Sequence, residues 1–249
     1  MLELENKVVM VTGAGGAIGR QMCKQFAEAG ADIAVLDISE ENAKQTAAIV
    51  EEIGRKAFVG VCDIRDSKRI KEIVEEVEQK LGVVDVLVNN AGGAAGMIGK
   101  LSRFVDAEEE TLRYIVELNL FGTMYCTKAV LPGMIRKKYG KIINIASISG
   151  VCGIVDRVDY SAAKGGIISM TKALAMEVGE FNICVNAISP GNIMRDGVVR
   201  YGGTFIGPKG RTGEPKDVAN MAVYLASAKA DYITGQNYCV DGGRCLGPK

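Results

Sequence analysis

Short apolar runs alternate with longer segments of helical periodicity along almost the whole 249-residue chain. The runs are apolar at successive positions rather than at every second position, which is typical of parallel strands covered on both faces. Such alternation implies right-handed crossovers, and it predicts an α/β fold in which helices cover both faces of a doubly wound parallel sheet of about seven strands. The predicted strands span residues 7–12, 32–37, 57–62, 84–89, 141–146, 183–188 and 237–240.

The segments between the strands carry the predicted helices. Apolar residues recur at helical spacing in two clear stripes, one at Ile18, Met22 and Phe26 and one at Ile70, Ile73, Val74, Val77 and Leu81. Ser39 and Asp66 are predicted helix N-caps. The glycine-rich stretches around 92–106 and 192–214 show neither helical periodicity nor a continuous apolar run, and they are expected to be irregular.

Composition narrows the possible functions. Lys plus Arg and Asp plus Glu both number 30, so the chain lacks the basic excess expected of a nucleic-acid-binding protein. It contains no His, which excludes Ser-His-Asp and Cys-His catalysis, and no metal site is expected. The length fits one domain spanning residues 1–249 better than two small ones.

The positions of the cysteines and the N-terminal residues indicate the cellular compartment of the protein. The seven Cys show no C-x-x-C spacing and lie mostly in apolar runs, which is typical of buried thiols in a reducing compartment. The N-terminus lacks a signal-peptide pattern, and no apolar run reaches the ~20 residues of a membrane span. We therefore expect a cytoplasmic protein with a small-molecule substrate and neither nucleic-acid nor membrane partners.

A glycine-rich segment follows the first predicted strand and precedes a helix. Its small residues allow a tight turn close to a pyrophosphate, while the helix N-terminus offers N–H groups and the positive end of its dipole. A simple strand-to-helix connection can also contain such glycines, but the position at the first strand favours a dinucleotide site. The predicted cofactor-binding residues here are Gly13, Gly15, Gly16, Ala17, Ile18 and Gly19.

Asp37 ends the second predicted strand, 18 residues after Gly19. A carboxylate at this position can accept hydrogen bonds from both hydroxyls of the adenosine ribose, and it repels a 2′-phosphate. No Arg or Lys lies in the glycine-rich turn or directly after Asp37. The sequence therefore predicts NAD rather than NADP as cofactor, with capping of the next helix as the alternative role of Asp37.

The third and fourth predicted strands end at the same edge of the sheet. Asp63, beside Ile64, is predicted to meet the adenine amino group. After the fourth strand, the small residues Ala91 and Gly92 allow the backbone to approach the adenosine. Asn90 fits either a cofactor contact or a structural tie between neighbouring strands.

Three polar residues after the fifth strand have spacings that suggest a reactive site. Ser147 follows the strand, Tyr160 lies thirteen residues later, and Lys164 lies four further, in a segment that opens a helix. Residues at i and i+4 share a helix face with Cβ atoms about 5–6 Å apart. Taken alone, Tyr160 could be a packing residue with its hydroxyl in water, and Lys164 could be a solvated charge on the helix. Their combination with Ser147 downstream of the glycine-rich turn favours a catalytic site.

The chemistry of these three residues is complementary. An unperturbed Tyr has a pKa of about 10, and a neighbouring positive charge favours its phenolate. Tyr160 is predicted to take the hydroxyl proton while hydride leaves the substrate carbon, or to return a proton in reduction. Ser147 would hold the substrate oxygen, and Lys164 would also bind the nicotinamide ribose.

The combination resembles the short-chain dehydrogenase/reductase family in its single-domain form. The resemblance covers essentially the whole chain and rests on four motifs. They are T-G-x-x-x-[AG]-x-G at 12–19, N-A-G at 90–92, Ser147 with Y-x-x-x-K at 160–164, and Pro190-Gly191 after the sixth strand. The resemblance implies a Rossmann-like fold and an NAD(P)-dependent oxidoreductase acting on CH–OH groups.

The resemblance implies further residues and an assembly. Asn119 would be a fourth catalytic member, holding a water that links Lys164 to solvent. The backbone of Ile193 would contact the nicotinamide, near Pro190 and Gly191. A homotetramer is also implied, with helices around 107–138 and 160–179 packing between subunits.

The chain departs from the family pattern at two positions. Ala17 replaces the commoner middle glycine of the turn, which is a permitted variant. Arg195 stands where members usually carry a Thr near the nicotinamide carboxamide, so that contact is not expected.

Two groups of basic residues call for interpretation. The segment predicted to cover the active site holds Arg195, Arg200, Lys209 and Arg211 against the single acid Asp196. One hypothesis is that Arg195 or Arg200 binds an anionic substrate group. The alternative is a solvated loop. The second group, Lys137, Lys138 and Lys141 near Arg136, is interpreted as contributing solubility only.

Three functions remain open on the sequence. The main prediction is an NAD-dependent dehydrogenase of a secondary alcohol, such as a polyol, sugar, hydroxysteroid or hydroxy acid. The alternative is a 3-oxoacyl-thioester (acyl carrier protein) reductase, against which Asp37 argues because such reductases usually draw on NADPH. The third is a non-catalytic NAD(H)-binding regulator, against which the presence of Tyr160 and Lys164 argues.

Overall fold

The computed structural model describes residues 3–194 and 207–247, and in this part of the chain seven strands form one parallel sheet. The strand order is β3-β2-β1-β4-β5-β6-β7, so the chain winds outward in both directions from the centre. The strands are β1 (Val8–Thr12), β2 (Asp32–Asp37), β3 (Ala57–Val61), β4 (Val86–Asn89), β5 (Gly140–Ile145), β6 (Ile183–Pro190) and β7 (Asn237–Val240). The predicted doubly wound α/β fold is confirmed.

Eight α-helices accompany the strands in the described residues. They are α1 (Ala17–Glu28), α2 (Glu40–Glu52), α3 (Ser67–Lys80), α4 (Glu109–Val116), α5 (Gly122–Lys137), α6 (Ser149–Cys152), α7 (Val158–Val178) and α8 (Pro215–Ala226). Short 3₁₀ turns occupy much of the stretch expected to be irregular around 92–106. Both predicted N-caps are present: Ser39 accepts a hydrogen bond from the N–H of Asn42, and Asp66 accepts two at the start of α3.

The two faces of the sheet carry separate apolar cores. Helices α1, α2 and α8 cover one face, where Met22 and Phe26 of the predicted α1 stripe are fully buried. Helices α3, α5 and α7 cover the other, where Ile70, Ile73 and Val77 of α3 are fully buried. Because both faces are covered, the strands are apolar at successive positions, as the sequence indicated.

Strand ends agree with the prediction to within two residues. Strand β4 begins at Val86, two residues later than predicted. The reason lies in Asp85, whose buried Oδ2 accepts the N–H of Val8 at 3.0 Å. Its side chain therefore links the residue before β4 to the start of β1. Strand β6 extends to Pro190, which pairs with Val240 of β7.

The interpretation of the basic residues near 136–141 as solubilising was wrong for two of them. Lys141 lies at the start of β5 with 2% of its surface exposed, and its Nζ is 2.6 Å from an Asp231 carboxylate oxygen. Lys137 Nζ is 2.6 Å from Oδ1 of the buried Asp85. A buried lysine requires a charged or polar partner, and periodicity alone does not show that a distant Asp supplies it.

The prediction of buried thiols holds for four of the seven cysteines: Cys23, Cys62, Cys126 and Cys184. Cys152 and Cys239 are exposed and Cys245 is half-buried. Within the described residues, no cysteine is paired in a disulfide. None of the helices in the same residues has the length and apolarity that crossing a membrane requires.

Candidate active site

The glycine-rich turn connects β1 to α1 at the carboxyl edge of the sheet. Gly13 has a φ of +61°, and a Cβ there would lie 2.8 Å from the Cα of Ala91 at the end of β4. Ala17 and Ile18 form the half-buried first turn of α1, and no side chain caps that helix at Gly16. An uncapped helix N-terminus at this edge suits a pyrophosphate.

Asn90 ties the end of β4 to the end of β1. Its Nδ2 donates to the carbonyl oxygens of Thr12 and Gly13 at 3.0 and 2.9 Å. The Thr12 hydroxyl in turn accepts the N–H groups of Asn90 and Ala91. Of the two roles that the sequence left open for Asn90, its contacts support the structural tie.

We predict that Gly19→Ala destabilises the turn. The new Cβ would lie 2.2 Å from the carbonyl oxygen of Gly13 and 2.8 Å from the Cα of Ala14. These are backbone atoms, so relieving the clash requires the turn itself to shift. Overpacking of this kind costs about 1–3 kcal/mol, which urea unfolding measures. Gly16→Ala is the matched control, because its Cβ meets nothing closer than 3.6 Å. Equal stabilities of the two variants would contradict the prediction.

Asp37 bridges the glycine-rich turn and the chain that follows β2. Its Oδ2 accepts the N–H of Gly15 at 2.8 Å, and its Oδ1 accepts the N–H of Ser39 at 2.9 Å. Ser39, rather than Asp37, caps α2. The carboxylate is therefore held beside the turn, where an adenosine ribose would reach it.

Asp63 follows β3, which ends at Val61, and its carboxylate already has a partner in Arg65, which its position in the sequence did not indicate. Arg65 donates to both of its carboxylate oxygens, and this side-chain hydrogen bonding lowers the pKa of Asp63. The Arg65 guanidinium also stacks on Tyr114, 4.5 Å from the ring centroid. Ile64 is buried and packs against Gly122 at the start of α5, so a cofactor contact there would come from its backbone.

The predicted reactive residues converge beyond the end of β5. Tyr160 and Lys164 lie on the first two turns of α7, with the Lys164 Nζ 5.6 Å from the centroid of the Tyr160 ring. Lys164 is buried, and its Nζ donates to the carbonyl oxygen of Ile145 at 2.8 Å. Ser147 is also buried, and its Oγ accepts the N–H of Ser149 at 3.1 Å.

Asn119 joins this group through the irregular chain after β4. It lies in a π-helical turn, Glu117–Phe121, between α4 and α5. Its side-chain amide exchanges two hydrogen bonds with the backbone of Gly93, at 3.0 and 2.9 Å. A Cβ on Gly92 would lie 2.4 Å from Asn119 Oδ1 and 3.3 Å from Lys164 Nζ. Glycine at position 92 therefore lets Asn119 and Lys164 approach one another, a constraint that a local motif does not reveal.

Burial lowers the pKa of Lys164 to about 7, because the charged ammonium loses solvation in the interior. Both protonation states are then accessible near neutral pH. A lysine of this kind can stabilise a neighbouring phenolate when charged and can exchange a proton when neutral.

This shift predicts a pH dependence of stability. Between pH 7 and about 10.5 the unfolded chain binds the Lys164 proton and the folded chain does not, so this group makes folding more favourable as the pH rises. Relative to Lys164→Met, the unfolding free energy of the wild type should gain about 4 kcal/mol over that window. Lys172→Met, at an exposed position of α7, is the control. Parallel wild-type and Lys164→Met curves in urea unfolding would refute the shift.

The segment after β6 borders the same edge of the sheet. The N–H of Gly191 donates to the carbonyl oxygen of Val240 at 3.0 Å, and a Cβ on Gly191 would lie 2.7 Å from the Cα of Asp241. Ile193 pairs with Gly213 in an isolated bridge. Pro190, predicted to follow the sixth strand, is instead the last residue of β6, and Gly191 and Ile193 follow it at the carboxyl edge of the sheet. The contact of Ile193 with the nicotinamide stays a prediction.

Neither residue of the anion-binding hypothesis, Arg195 or Arg200, lies in the part of the chain that the structure describes. Arg211 is already paired, because its guanidinium donates to both carboxylate oxygens of Asp217 at 2.7 and 3.0 Å. One of the four basic residues of this segment is thus neutralised by an acid of the following helix, α8.

One edge of the doubly wound sheet carries both a glycine-rich turn suited to a dinucleotide and the phenol–ammonium pair of Tyr160 and Lys164. The uncapped α1 and Asp37 lie at one end of that edge, and Tyr160, Lys164, Ser147 and Asn119 lie at the other. Dinucleotides bind outside the carboxyl ends of such strands, at the point where the strand order reverses. The fold and site therefore define a nicotinamide-dependent oxidoreductase.

Comparison with known proteins identifies the family. A family model described as Enoyl-(Acyl carrier protein) reductase matches residues 13–244. The 3-oxoacyl-[acyl-carrier-protein] reductase FabG of Thermotoga maritima is 38% identical over 97% of this chain and 99% of its own length. The (2S)-[(R)-hydroxy(phenyl)methyl]succinyl-CoA dehydrogenase subunit BbsD of Thauera aromatica is 36% identical over 98% of both chains. The chain belongs to the short-chain dehydrogenase/reductase family, as its motifs indicated.

A solved structure agrees with the sequence relatives. A 3-oxoacyl-[acyl-carrier protein] reductase from Brucella melitensis, solved with bound NAD, superposes with a TM-score of 0.91 at 30% identity. The match covers 99% of this chain and 95% of that one. These relatives favour the thioester alternative of the sequence analysis over its main prediction of a polyol, sugar, hydroxysteroid or hydroxy-acid dehydrogenase.

Proposed function

We propose that this chain is an NAD(H)-dependent oxidoreductase that interconverts 3-oxoacyl and 3-hydroxyacyl groups carried as thioesters. The observation that carries the reaction is the position of Lys164 Nζ, 5.6 Å from the Tyr160 ring and beside the Asn119 amide across Gly92. This arrangement suits proton transfer at a carbonyl or hydroxyl oxygen. The single domain is proposed to span residues 1–249.

The bound nicotinamide would supply or accept the hydride, and the residues of this chain would place the substrate and handle the proton. The Ser147 hydroxyl donates a hydrogen bond to the substrate carbonyl oxygen. In reduction, the Tyr160 hydroxyl gives its proton to that oxygen, and in oxidation its phenolate takes the proton back. The Lys164 ammonium stabilises the phenolate and binds the nicotinamide ribose. Asn119, fixed on Gly93, holds a water that links Lys164 to solvent.

The proposed preference for NAD(H) rests on Asp37. Its carboxylate is fixed by the N–H groups of Gly15 and Ser39, so it faces any ribose held over the glycine-rich turn. A 2′-phosphate at that position would meet a like charge. Asp37 argues against a thioester reductase that draws on NADPH, but the Brucella melitensis 3-oxoacyl reductase was solved with bound NAD, which supports combining this cofactor with a thioester substrate in the proposal.

The rim of the site supports an acyl substrate rather than a polyol. A shallow cavity lies between the chain after β4 and the start of α7. Its lining is half apolar and half polar, with Ala95, Phe104, Ala107, Leu112 and Val158 beside Lys100, Ser102, Thr111, Asp156 and Asp159. The same rim exposes large apolar side chains at Met97, Ile98, Leu101, Phe104 and Val105. Exposed apolar groups in this number mark a binding surface, and an acyl chain can cover them whereas a sugar cannot.

The proposed carrier follows from the relatives. The names of the Thermotoga maritima and Thauera aromatica proteins specify an acyl group on an acyl carrier protein and on coenzyme A, respectively. A homotetramer in the cytoplasm, with the helices around 107–138 and 160–179 at its interfaces, completes the proposal.

Reduction of acetoacetyl-CoA tests the proposal, with NADH and NADPH compared by nicotinamide absorbance. We expect a kcat/KM with NADH of at least roughly 10⁴ M⁻¹s⁻¹, within the usual range for a true substrate. A panel of polyols, sugars, hydroxysteroids and simple hydroxy acids with NAD is the comparison. Turnover of a panel compound without turnover of acetoacetyl-CoA would overturn the thioester proposal, and a preference for NADPH would overturn the cofactor proposal.

A further inference from the structure

We propose that Cys152 and Cys245 form a reversible disulfide at the edge of the active site, by exchange with a low-molecular-weight disulfide. The two sulfur atoms lie 3.8 Å apart although the residues are 93 positions apart in the chain. Cys152 ends α6, in the segment between Ser147 and Tyr160, and Cys245 lies in the 3₁₀ turn Arg244–Leu246 after β7. A disulfide requires an S–S distance of about 2.05 Å, so the sulfur atoms must approach by less than 2 Å.

The surroundings of the two thiols differ and assign them different roles. Cys152 is exposed, and its Sγ donates to the carbonyl oxygen of Ile148 at 3.2 Å. Burial, together with the nearby Asp241 carboxylate, raises the pKa of the Cys245 thiol well above its ordinary value. The accessible Cys152 therefore reacts first with an external disulfide, and Cys245 reacts second, at short range.

The exchange balances as two displacements. The Cys152 thiolate attacks one sulfur of the external disulfide, which forms a mixed disulfide and releases one thiolate. The Cys245 thiol then loses its proton to solvent and attacks the Cys152 sulfur, which releases the second thiolate. The two protein thiols are oxidised to one disulfide, and the external disulfide is reduced to two thiols.

The bond would join two segments that border the substrate. On one side, α6 packs directly on α7, because a Cβ on Gly150 would lie 2.5 Å from the carbonyl carbon of Lys164. On the other side, the chain around Cys245 holds the segment that begins at 207. Gly242 accepts the N–H of Lys209 at 3.2 Å, and a Cβ on Gly207 would lie 2.7 Å from the backbone nitrogen of Arg244. Oxidation therefore fixes this segment against the catalytic helix, and we expect it to slow substrate entry.

Cys239 provides the matched control. It lies on β7, is exposed, and neighbours Cys245, so it shares the chemistry of the cluster. Cys152→Ser and Cys245→Ser each remove one partner of the proposed bond, whereas Cys239→Ser leaves both in place. None of the three residues belongs to the proposed catalytic or cofactor-binding groups.

The experiment incubates the full-length protein and the three serine variants with oxidised glutathione, and then with dithiothreitol. In the wild type and in Cys239→Ser we expect a tryptic peptide that joins Cys152 to Cys245 and a Tm raised by roughly 5–15 °C. We also expect kcat/KM for acetoacetyl-CoA to fall by at least about fivefold, with an unchanged Kd for NADH. Dithiothreitol should reverse all three effects, and Cys152→Ser and Cys245→Ser should show none of them.

The proposal is overturned if no such peptide forms, if Cys239 supplies the linked sulfur, or if the linked protein turns over substrate as fast as the reduced one. Should acetoacetyl-CoA prove not to be a substrate, the thioester proposal fails separately. The linked peptide and the Tm shift then decide on the disulfide, and turnover is followed with the compound that the substrate panel identifies.

Discussion

Tyr160→Phe is expected to remove nearly all turnover and to leave NADH binding intact. The substitution deletes only the hydroxyl that exchanges a proton with the substrate oxygen, and general acid–base catalysis of this kind contributes about 10²–10⁴-fold to the rate. The loss should appear in kcat, while the ring remains on α7 and Lys164 keeps its hydrogen bond to Ile145. Steady-state turnover and fluorescence titration with NADH measure the two quantities.

Tyr232→Phe is the control for this prediction, because it removes the same hydroxyl from a fully exposed tyrosine. Its turnover should match that of the wild type. A Tyr160→Phe enzyme that retains more than about a tenth of wild-type kcat would show that another group transfers the proton. A large loss of NADH affinity would instead mean that the phenol serves binding.

Asp37→Asn is expected to change the preference between NADH and NADPH more than any other single substitution among the predicted cofactor-binding residues. The amide keeps the size of the side chain and an oxygen that can accept the N–H of Gly15, but it removes the charge that opposes a 2′-phosphate. Like charges brought together at a binding site cost a few kcal/mol, so the ratio of kcat/KM for NADH over NADPH should fall by roughly 100-fold.

Asp32→Asn tests whether that effect is local. Asp32 begins the same strand that Asp37 ends, and it pairs with Arg55 at the far edge of the sheet. The same change in charge there should leave the coenzyme ratio unchanged, although it can lower stability. If the two variants shift the ratio equally, the preference arises from overall charge and not from the contact between Asp37 and the ribose.

The sequence predicted those features that depend on local periodicity or on short spacing. Continuous apolar runs identified all seven strands, because both faces of the sheet are covered. The i, i+4 spacing placed Tyr160 and Lys164 on one face of α7, where the structure has them. The glycine-rich turn was predictable because a strand, a tight turn and a helix leave few other arrangements.

Features that depend on contacts between distant segments were not predictable from the residues alone. The Asn119 amide lies in a π-helical turn and bonds to the backbone of Gly93, 26 positions away, and no local sequence pattern predicts that contact. The burial of Lys141 depends on Asp231, which is 90 positions away. Likewise, Cys152 and Cys245 meet only after α6 and the end of the chain have packed on the same edge of the sheet.

The central claim is tested most directly by a crystal structure of the protein with NAD and a 3-hydroxyacyl-CoA. We predict the pyrophosphate at the turn from Gly13 to Gly19, and the Tyr160 hydroxyl within about 2.6–3.2 Å of the substrate hydroxyl oxygen. A Tyr160 ring turned away from the substrate, or a pyrophosphate bound elsewhere on the sheet edge, would contradict the account.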